Sequence, residues 1–289
     1  MGREYINIPQ KIYMRNFGDM LQKLDPLRSG TEATFCFEKK IFVTPEMLML
    51  LVTLSKLSYD RVGRPVLWSG LSPENYSYLE RLDVGNLRFV KLKKPEHALK
   101  YHRAIGGSDN LVELTEIENW KEIADAVKKT RSVVNRWFPE KPQQFRQNLI
   151  TLIKETVENS CEHSGKHPQE GICYYAVQKY QQKNGDVELN IAVGDVGVGM
   201  LQSQRRVFPK TPDDVEAIRG ALLDGRSGRK TGGGMGYLAI KEALGELDGE
   251  IIVRSGQGMI HYVSSKDQPR IYRKNTEYPG TQILFRCRG

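Results

Sequence analysis

The sequence predicts an α/β protein with two domains. Segments that alternate apolar and polar residues, as strands do, recur between segments whose apolar residues stand three and four positions apart, as in helices. The chain has 289 residues, which exceeds the ~100–200 residues of a usual single domain. Residues 105–110 contain two glycines among polar residues and are the best candidate for a linker.

The N-terminal third is predicted to alternate strands with helices. Thr44 precedes Pro45, a combination typical of a helix start with a hydroxyl cap and a proline in the first turn. Ser72 opens a second helix, which runs through Leu82, in the same way. Three segments rich in β-branched and aromatic residues predict strands, namely residues 34–37, 41–43 and 65–69.

A longer helix is predicted over residues 143–164, with an apolar face and a polar face. Glu155, Asn159 and His163 follow one another at intervals of four, so a carboxylate, an amide and an imidazole stack on the polar face. Asn159 can offer a neutral oxygen to Mg²⁺, and Glu155 can orient or deprotonate a water or hydroxyl. A solvated polar stripe is the alternative.

A strand is predicted over residues 187–193 because apolar and polar residues alternate there, and Asp195 stands at its end. A carboxylate in this place can accept a hydrogen bond from an exocyclic amine such as that of adenine. Gly197 and Gly199 would let the backbone pass close beneath the ring. An ordinary Asp-Gly turn is the alternative.

A cluster of glycines then precedes a predicted helix over residues 237–244. Glycine lets backbone N–H groups approach an anion closely, and a helix N-terminus directs its dipole at bound oxyanions. The cluster therefore indicates a phosphate site, although a flexible turn is the alternative. Its residues are Gly232, Gly233, Gly234, Met235 and Gly236.

The order and spacing of these elements resemble the Bergerat ATP-binding fold of the GHKL class, which includes type II topoisomerases, MutL proteins, histidine kinases and anti-sigma-factor serine kinases. The resemblance covers residues 117–289 and implies a mostly antiparallel sheet with helices on one face. Glu155 and Asn159 resemble its N box, and Thr281 resembles the threonine on the closing strand behind adenine. The first glycine box of the family resembles the set Asp195, Gly197 and Gly199. The second resembles the set Gly232, Gly234 and Gly236.

This resemblance implies roles for the matching residues. Asp195 would contact adenine, Asn159 would hold Mg²⁺, and the glycine cluster would surround the phosphates. Glu155 is similar to the glutamate of the ATP-hydrolysing members and the anti-sigma kinases. His163 resembles the anti-sigma version, with a histidine that caps the helix end as the alternative.

The resemblance also implies an ATP lid over residues 200–231, with a short helix over 215–223. Its end is basic and lies just before the glycine cluster, so these side chains would cover the terminal phosphate when the lid closes. A solvated surface is the alternative. The residues concerned are Arg226, Arg229, Lys230 and Thr231.

The N-terminal pattern resembles a STAS-like domain, which we place at residues 1–104, with the linker at 105–116. In the bacterial antagonists of that family a regulatory phosphoserine begins the first long helix, where Thr44 stands here. The usual Asp-Ser-Ser-Gly pattern is absent, so a plain helix cap is favoured for Thr44 over phosphorylation.

Composition limits the partners. The net charge of +8 favours polyanions but also suits a protein that admits ATP. The densest basic run lacks interleaved aromatic residues, so we interpret it as solvated surface and do not favour nucleic acid as a partner. That run comprises Lys91, Lys93, Lys94, Lys100 and Arg103.

The four cysteines lack metal-binding spacing, and neither an export signal nor a membrane span is evident, so we expect a cytoplasmic protein with reduced thiols and no membrane partner. Residues 118–137 have helical spacing, and packing on the sheet is favoured over dimerisation for them.

Two functions remain open. The first is an enzyme, an ATPase or a protein serine/threonine kinase, that uses MgATP with Glu155 as base. The second is a nucleotide-gated module that binds a protein partner or a second copy of itself with little turnover.

Overall fold

The computed structural model describes residues 3–14, 17–23, 31–38, 41–98, 110–165, 171–183, 185–226, 235–266 and 268–289. The chain divides into two compact units, Met1–Leu114 and Thr115–Gly289. The protein is α/β and contains both parallel and antiparallel strand pairs.

The first unit contains a parallel sheet. Its strands are β1 (Arg3–Ile8), β2 (Glu32–Phe37), β3 (Val66–Ser69) and β4 (Val90–Leu92), in that order across the sheet. Each neighbouring pair is parallel, as the intervening helices require. Those helices are α1 (Phe17–Lys23), α2 (Pro45–Val62) and α3 (Pro73–Arg81).

The two predicted helix starts in this unit are confirmed. The Thr44 hydroxyl accepts the Met47 N–H at 3.2 Å, and the Ser72 hydroxyl accepts the Asn75 N–H at 3.2 Å. Both helices carry proline in their first turn. Thr44 therefore has a structural role that accounts for its position before α2.

The predicted strand over residues 41–43 is wrong. These residues lie outside every strand, and the Ile41 carbonyl accepts a hydrogen bond from the Asn75 side chain at 2.8 Å. Ile41 and Val43 are buried whereas Phe42 is exposed, which gives a strand-like alternation without a partner strand. The predicted strands over 34–37 and 65–69 correspond to β2 and β3.

The second sheet has five strands, in the order β5-β6-β7-β9-β8. The pairs β6/β7, β7/β9 and β8/β9 are antiparallel. The strands are β5 (Leu111–Ile117), β6 (Cys173–Gln181), β7 (Val187–Asp195), β8 (Glu250–Val263) and β9 (Arg270–Arg288).

Strand β5 corrects the predicted linker over residues 105–116. Residues 111–116 belong to this strand, and residues 111–114 are buried. Consecutive buried residues there need paired backbone groups, which a sheet supplies and a solvated linker does not. Residues 105–109 lie outside the described residues.

Strand β8 bends back on itself at Gly256–Gly258. The Ser264 N–H donates to the Gly249 carbonyl at 3.0 Å, and the His261 ring lies 2.8 Å from the Glu250 carboxylate. The bend has irregular pairing, and Gly256 has a φ of +53°. A Cβ atom at Gly256 would lie 2.3 Å from the Asp214 carboxylate, so the bend needs glycine.

Five helices complete the second unit, and α5 is central among them. It packs against α4, α8, β6 and β7, and the predicted apolar positions Leu149, Leu152 and Val157 are buried. The helices are α4 (Trp120–Trp137), α5 (Gln143–His163), α6 (Gly199–Arg205), α7 (Asp214–Leu222) and α8 (Met235–Glu246).

Helix α4 contacts the sheet, as the favoured interpretation predicts. The Tyr175 hydroxyl of β6 donates to the Ala126 carbonyl at 3.3 Å and lies 3.3 Å from the Thr130 hydroxyl.

Within the described part of the chain, no helix combines the length and the apolar character needed to cross a membrane.

Thr44→Ala should lower the free energy of unfolding by about 1 kcal/mol, because the cap of α2 is lost. Urea unfolding measures the change, and Thr44→Ser, which keeps the hydroxyl, is the matched control. Equal stability of the two variants would show that the hydroxyl does not cap the helix.

Candidate functional site

The polar face of α5 meets the beginning of α8. A Cβ atom added at Gly236 would lie 3.1 Å from Oε2 of Glu155 and 3.3 Å from Nδ2 of Asn159. A side chain at position 236 would therefore crowd both groups. The structure thus brings together residues that are about 80 positions apart in the sequence and that were predicted to share a site.

Glu155 is fixed by its neighbour. The Lys154 ammonium donates to Glu155 at 2.9 Å and to Glu158 at 3.2 Å, and its hydrogen bond with Glu155 is the main cause of the raised pKa of Lys154. The Glu155 side chain retains 23% of its exposure, so its carboxylate is accessible beside Gly236.

Asn159 carries a buried amide group that is only partly satisfied within the described part of the chain. Its Nδ2 atom is inaccessible to solvent and has no hydrogen-bond partner among the described residues. A rotation of 180° exchanges the amide oxygen and nitrogen, so either atom can take this position. An unsatisfied buried polar atom is costly, and this one lies 3.3 Å from the position that a Cβ atom at Gly236 would take.

His163 is the last residue of α5 and is half-buried. A basic side chain in this position interacts favourably with the helix dipole, as the cap interpretation requires. The structure therefore places His163 two turns beyond Glu155, at the end of the same helix.

Asp195 is the most buried acidic group of the site. It ends β7 and is 2% exposed, and its Oδ1 accepts the N–H groups of Gly197 at 2.9 Å and Thr281 at 3.2 Å. Burial raises its pKa to about 7, against the opposite effect of these two hydrogen bonds. The carboxyl group therefore changes its charge near neutral pH.

Helix α8 and strand β6 flank this carboxyl group. The pKa of Tyr237 is raised by burial and then by the charge of Asp195, so the start of α8 lies near Asp195 as well as near α5. The Cys173 thiol is 3.4 Å from the Cys161 thiol. The contact with Cys161 and then burial raise the pKa of the Cys173 thiol well above its usual value, and the charge of Asp195 has a smaller effect in the same direction.

The turn after β7 runs against the end of α5. The Val198 N–H donates to the Ser164 carbonyl at 2.9 Å, and a Cβ atom at Gly197 would lie 2.1 Å from the same oxygen. Gly199, with a φ of +75°, approaches Ser255 in the same manner. Both glycines were predicted to make room for a ligand ring, and the structure shows that protein packing also requires them.

Thr281 contributes its backbone rather than its hydroxyl to Asp195. Its N–H bonds the carboxylate, whereas its hydroxyl donates to the Ser255 hydroxyl at 3.2 Å. The preceding Gly280 has a φ of +87°, and a Cβ atom there would lie 2.3 Å from the Asp195 carbonyl oxygen. Sequence reasoning missed Ser164, Ser255 and Gly280, because their contacts are with residues distant in the sequence.

The segment predicted as a lid contains α6 and α7, and α7 matches the predicted helix over 215–223 within one residue at each end. Arg226 pairs with Asp224 at 3.3 Å and packs against Gly220, so in this conformation its guanidinium is held by the protein. The remaining predicted phosphate ligands, Arg229, Lys230, Thr231, Gly232, Gly233 and Gly234, lie outside the described residues; Met235 begins α8.

No protein-family model matches the chain, and no curated protein matches it significantly. Among the described residues, no cluster of three or more His, Cys, Asp and Glu side chains could hold a metal ion.

The pKa of Asp195 predicts a pH-dependent stability. Its pKa in the folded protein, about 7, lies above the usual 3.8, so the folded state keeps a proton that the unfolded chain loses. The free energy of unfolding therefore decreases as the pH rises from 3.8 through about 7, because Asp195 is harder to ionise in the folded protein than in the unfolded chain.

Asp195→Asn should remove this loss, so its stability relative to the wild type should increase with pH in that window, by up to about 1.4 kcal/mol per pH unit. Urea unfolding at several pH values measures the difference. Asp248→Asn, at an exposed carboxylate, is the control and should follow the wild type. Parallel wild-type and Asp195→Asn curves would contradict the raised pKa.

Proposed function

We propose that the unit Thr115–Gly289 is a GHKL-class nucleotide-binding domain that binds ATP with Mg²⁺ between α5, the turn after β7 and the start of α8. Antiparallel strand pairs and the packing of α5 on β6 and β7 support this fold. The proposal depends most on Asp195, a buried carboxylate oriented by two backbone N–H groups at the end of a strand.

Asp195 suits an adenine amine for a chemical reason. Both of its N–H donors among the described residues bond Oδ1, which fixes the plane of the carboxyl group. The ionised form accepts hydrogen bonds without donating one, so it favours an exocyclic amine over a carbonyl at the same place. A site of this kind would select adenine over guanine.

The phosphates would lie at the other end of the pocket, near Gly236. Gly236 packs closely against Glu155 and Asn159, and the 12-residue helix α8 has its N-terminus in the same region. The unsatisfied amide of Asn159 fits an additional ligand, and its oxygen would hold Mg²⁺. Bound Mg²⁺ would supply positive charge to the phosphates, with only one or two protein ligands needed.

Glu155 would act as the general base. Its carboxylate lies beside Gly236 and is accessible, and Lys154 holds it in place. In this position it would orient a water molecule or a protein hydroxyl and take its proton as that oxygen attacks the terminal phosphate. The corresponding reaction is ATP hydrolysis or phosphorylation of a partner protein.

A nucleotide-gated module is the second candidate, and the paired Arg226 is the observation that favours it. Its ion pair with Asp224 engages the Arg226 guanidinium within the protein in this conformation. ATP that draws Arg226 away from Asp224 would change the surface offered to a protein partner or a second copy.

We place this activity in the cytoplasm, where the four free thiols stay reduced. We also propose a STAS-like fold for the first unit.

Asp195→Asn should weaken ATP binding by roughly ten- to a hundredfold, because a charged hydrogen-bond acceptor is lost. Isothermal titration calorimetry with ATP and Mg²⁺ measures the dissociation constant. Asp248→Asn makes the same chemical change at an exposed site and should bind like the wild type. An unchanged constant for Asp195→Asn would refute the assignment of this residue to the adenine.

Glu155→Gln should lower phosphate release or transfer by about a hundredfold or more while ATP binding is retained, because the base is lost. Incubation with γ-labelled ATP and cell extract, with detection of free phosphate and labelled proteins, measures both reactions. Glu158→Gln also removes a partner of Lys154 and is the matched control. Absence of turnover in the wild type would favour the gated module.

A further inference from the structure

Ser255 is a fully buried residue of β8 whose hydroxyl makes three hydrogen bonds. It accepts the Met200 N–H at 2.9 Å and the Thr281 hydroxyl at 3.2 Å, and it donates to the Gly280 carbonyl at 2.9 Å. A serine hydroxyl has one donor and two acceptor positions, so this one is fully used.

These three bonds connect separate parts of the site. Met200 belongs to α6, which begins directly after the turn that follows Asp195, whereas Gly280 and Thr281 belong to β9. Ser255 is also the register partner of Thr281 between β8 and β9. One hydroxyl group thus joins both chain segments that place N–H groups on Asp195.

The surroundings leave this hydroxyl little freedom. A Cβ atom at Gly199 would lie 3.0 Å from Oγ of Ser255, and one at Gly280 would lie 2.7 Å from Oδ1 of Asp195. Glycine at position 199 lets α6 approach Ser255 closely enough to bond it, and glycine at position 280 lets β9 approach Asp195. Alanine at position 255 would remove this partner from three polar groups, of which the Gly280 carbonyl and the Thr281 hydroxyl are buried.

We propose that Ser255 is a positioning residue for nucleotide binding: it holds Thr281 in the place from which its N–H orients the Asp195 carboxylate. The inference rests on the proposed function, since it assigns Ser255 to the site that would receive adenine. Ser255 acts through Asp195 and has no direct contact with the nucleotide in this proposal.

A pH profile separates this role from general destabilisation. Ionised Asp195 is the stronger acceptor, so ATP affinity should rise as the pH rises through the pKa of this group. The Thr281 N–H lowers that pKa, and its loosening in a Ser255 variant should move the midpoint to higher pH. Tyr237 and Cys173, which face Asp195, have raised pKa values and stay neutral across this range.

The experiment is calorimetric titration of the full chain with ATP and Mg²⁺ at a series of pH values, for the wild type and Ser255→Ala. We expect roughly tenfold weaker binding near neutral pH and a midpoint at higher pH in the variant. Ser55→Ala is the control, because Ser55 is equally buried and accepts a hydrogen bond from Trp68 in the first unit. It should keep the wild-type affinity and midpoint.

Should Ser255→Ala fail to fold, Ser255→Cys, with its weaker hydrogen-bonding group, is measured for the same shift. Unchanged affinity, or weaker binding with an unchanged midpoint, would overturn the role of Ser255 while leaving the proposed function intact. Absence of ATP binding by the wild type at every pH would overturn the proposed function, and this inference with it.

Discussion

The burial of Asp195 is the constraint on which the rest of the second unit depends. A carboxylate at 2% exposure is costly to ionise, and its pKa rises to about 7 as a result. Two backbone N–H groups, from Gly197 and Thr281, offset part of this cost. Groups with such strongly perturbed pKa values cluster at functional sites, and the proposed function therefore depends on this residue.

The glycines around Asp195 follow from the same constraint. The turn after β7 crosses the end of α5 so closely that Gly197 has no room for a side chain, and Gly280 lies against the Asp195 backbone from the other side. Because these segments lie so close to Asp195, the N–H groups of Gly197 and Thr281 can bond its buried carboxylate. Glycine is thus required by packing and hydrogen bonding together, before any ligand is considered.

The polar face of α5 shows the opposite arrangement, in which polar groups remain available. Lys154 bonds Glu155 without covering it, and one buried amide atom of Asn159 has no partner in the part of the chain that the structure describes. The proposed site therefore has a carboxylate held by two backbone N–H groups at one end and, at the other, an amide atom of Asn159 without a partner among the described residues. The ligand proposed above, neutral and aromatic at one end and anionic at the other, would use both ends.

The sequence by itself determined the local elements. Apolar spacing gave α5, α7 and α8, hydroxyl caps before proline gave the starts of α2 and α3, and alternation gave β7 with Asp195 at its end. Only the tertiary structure decided which segment pairs in a sheet, so residues 41–43 are unpaired and residues 111–116 form a strand. It also decided the contact of Asp195 with Thr281 and the contacts of Ser255, because hydrogen bonds between residues 25 or more positions apart have no local pattern in the chain.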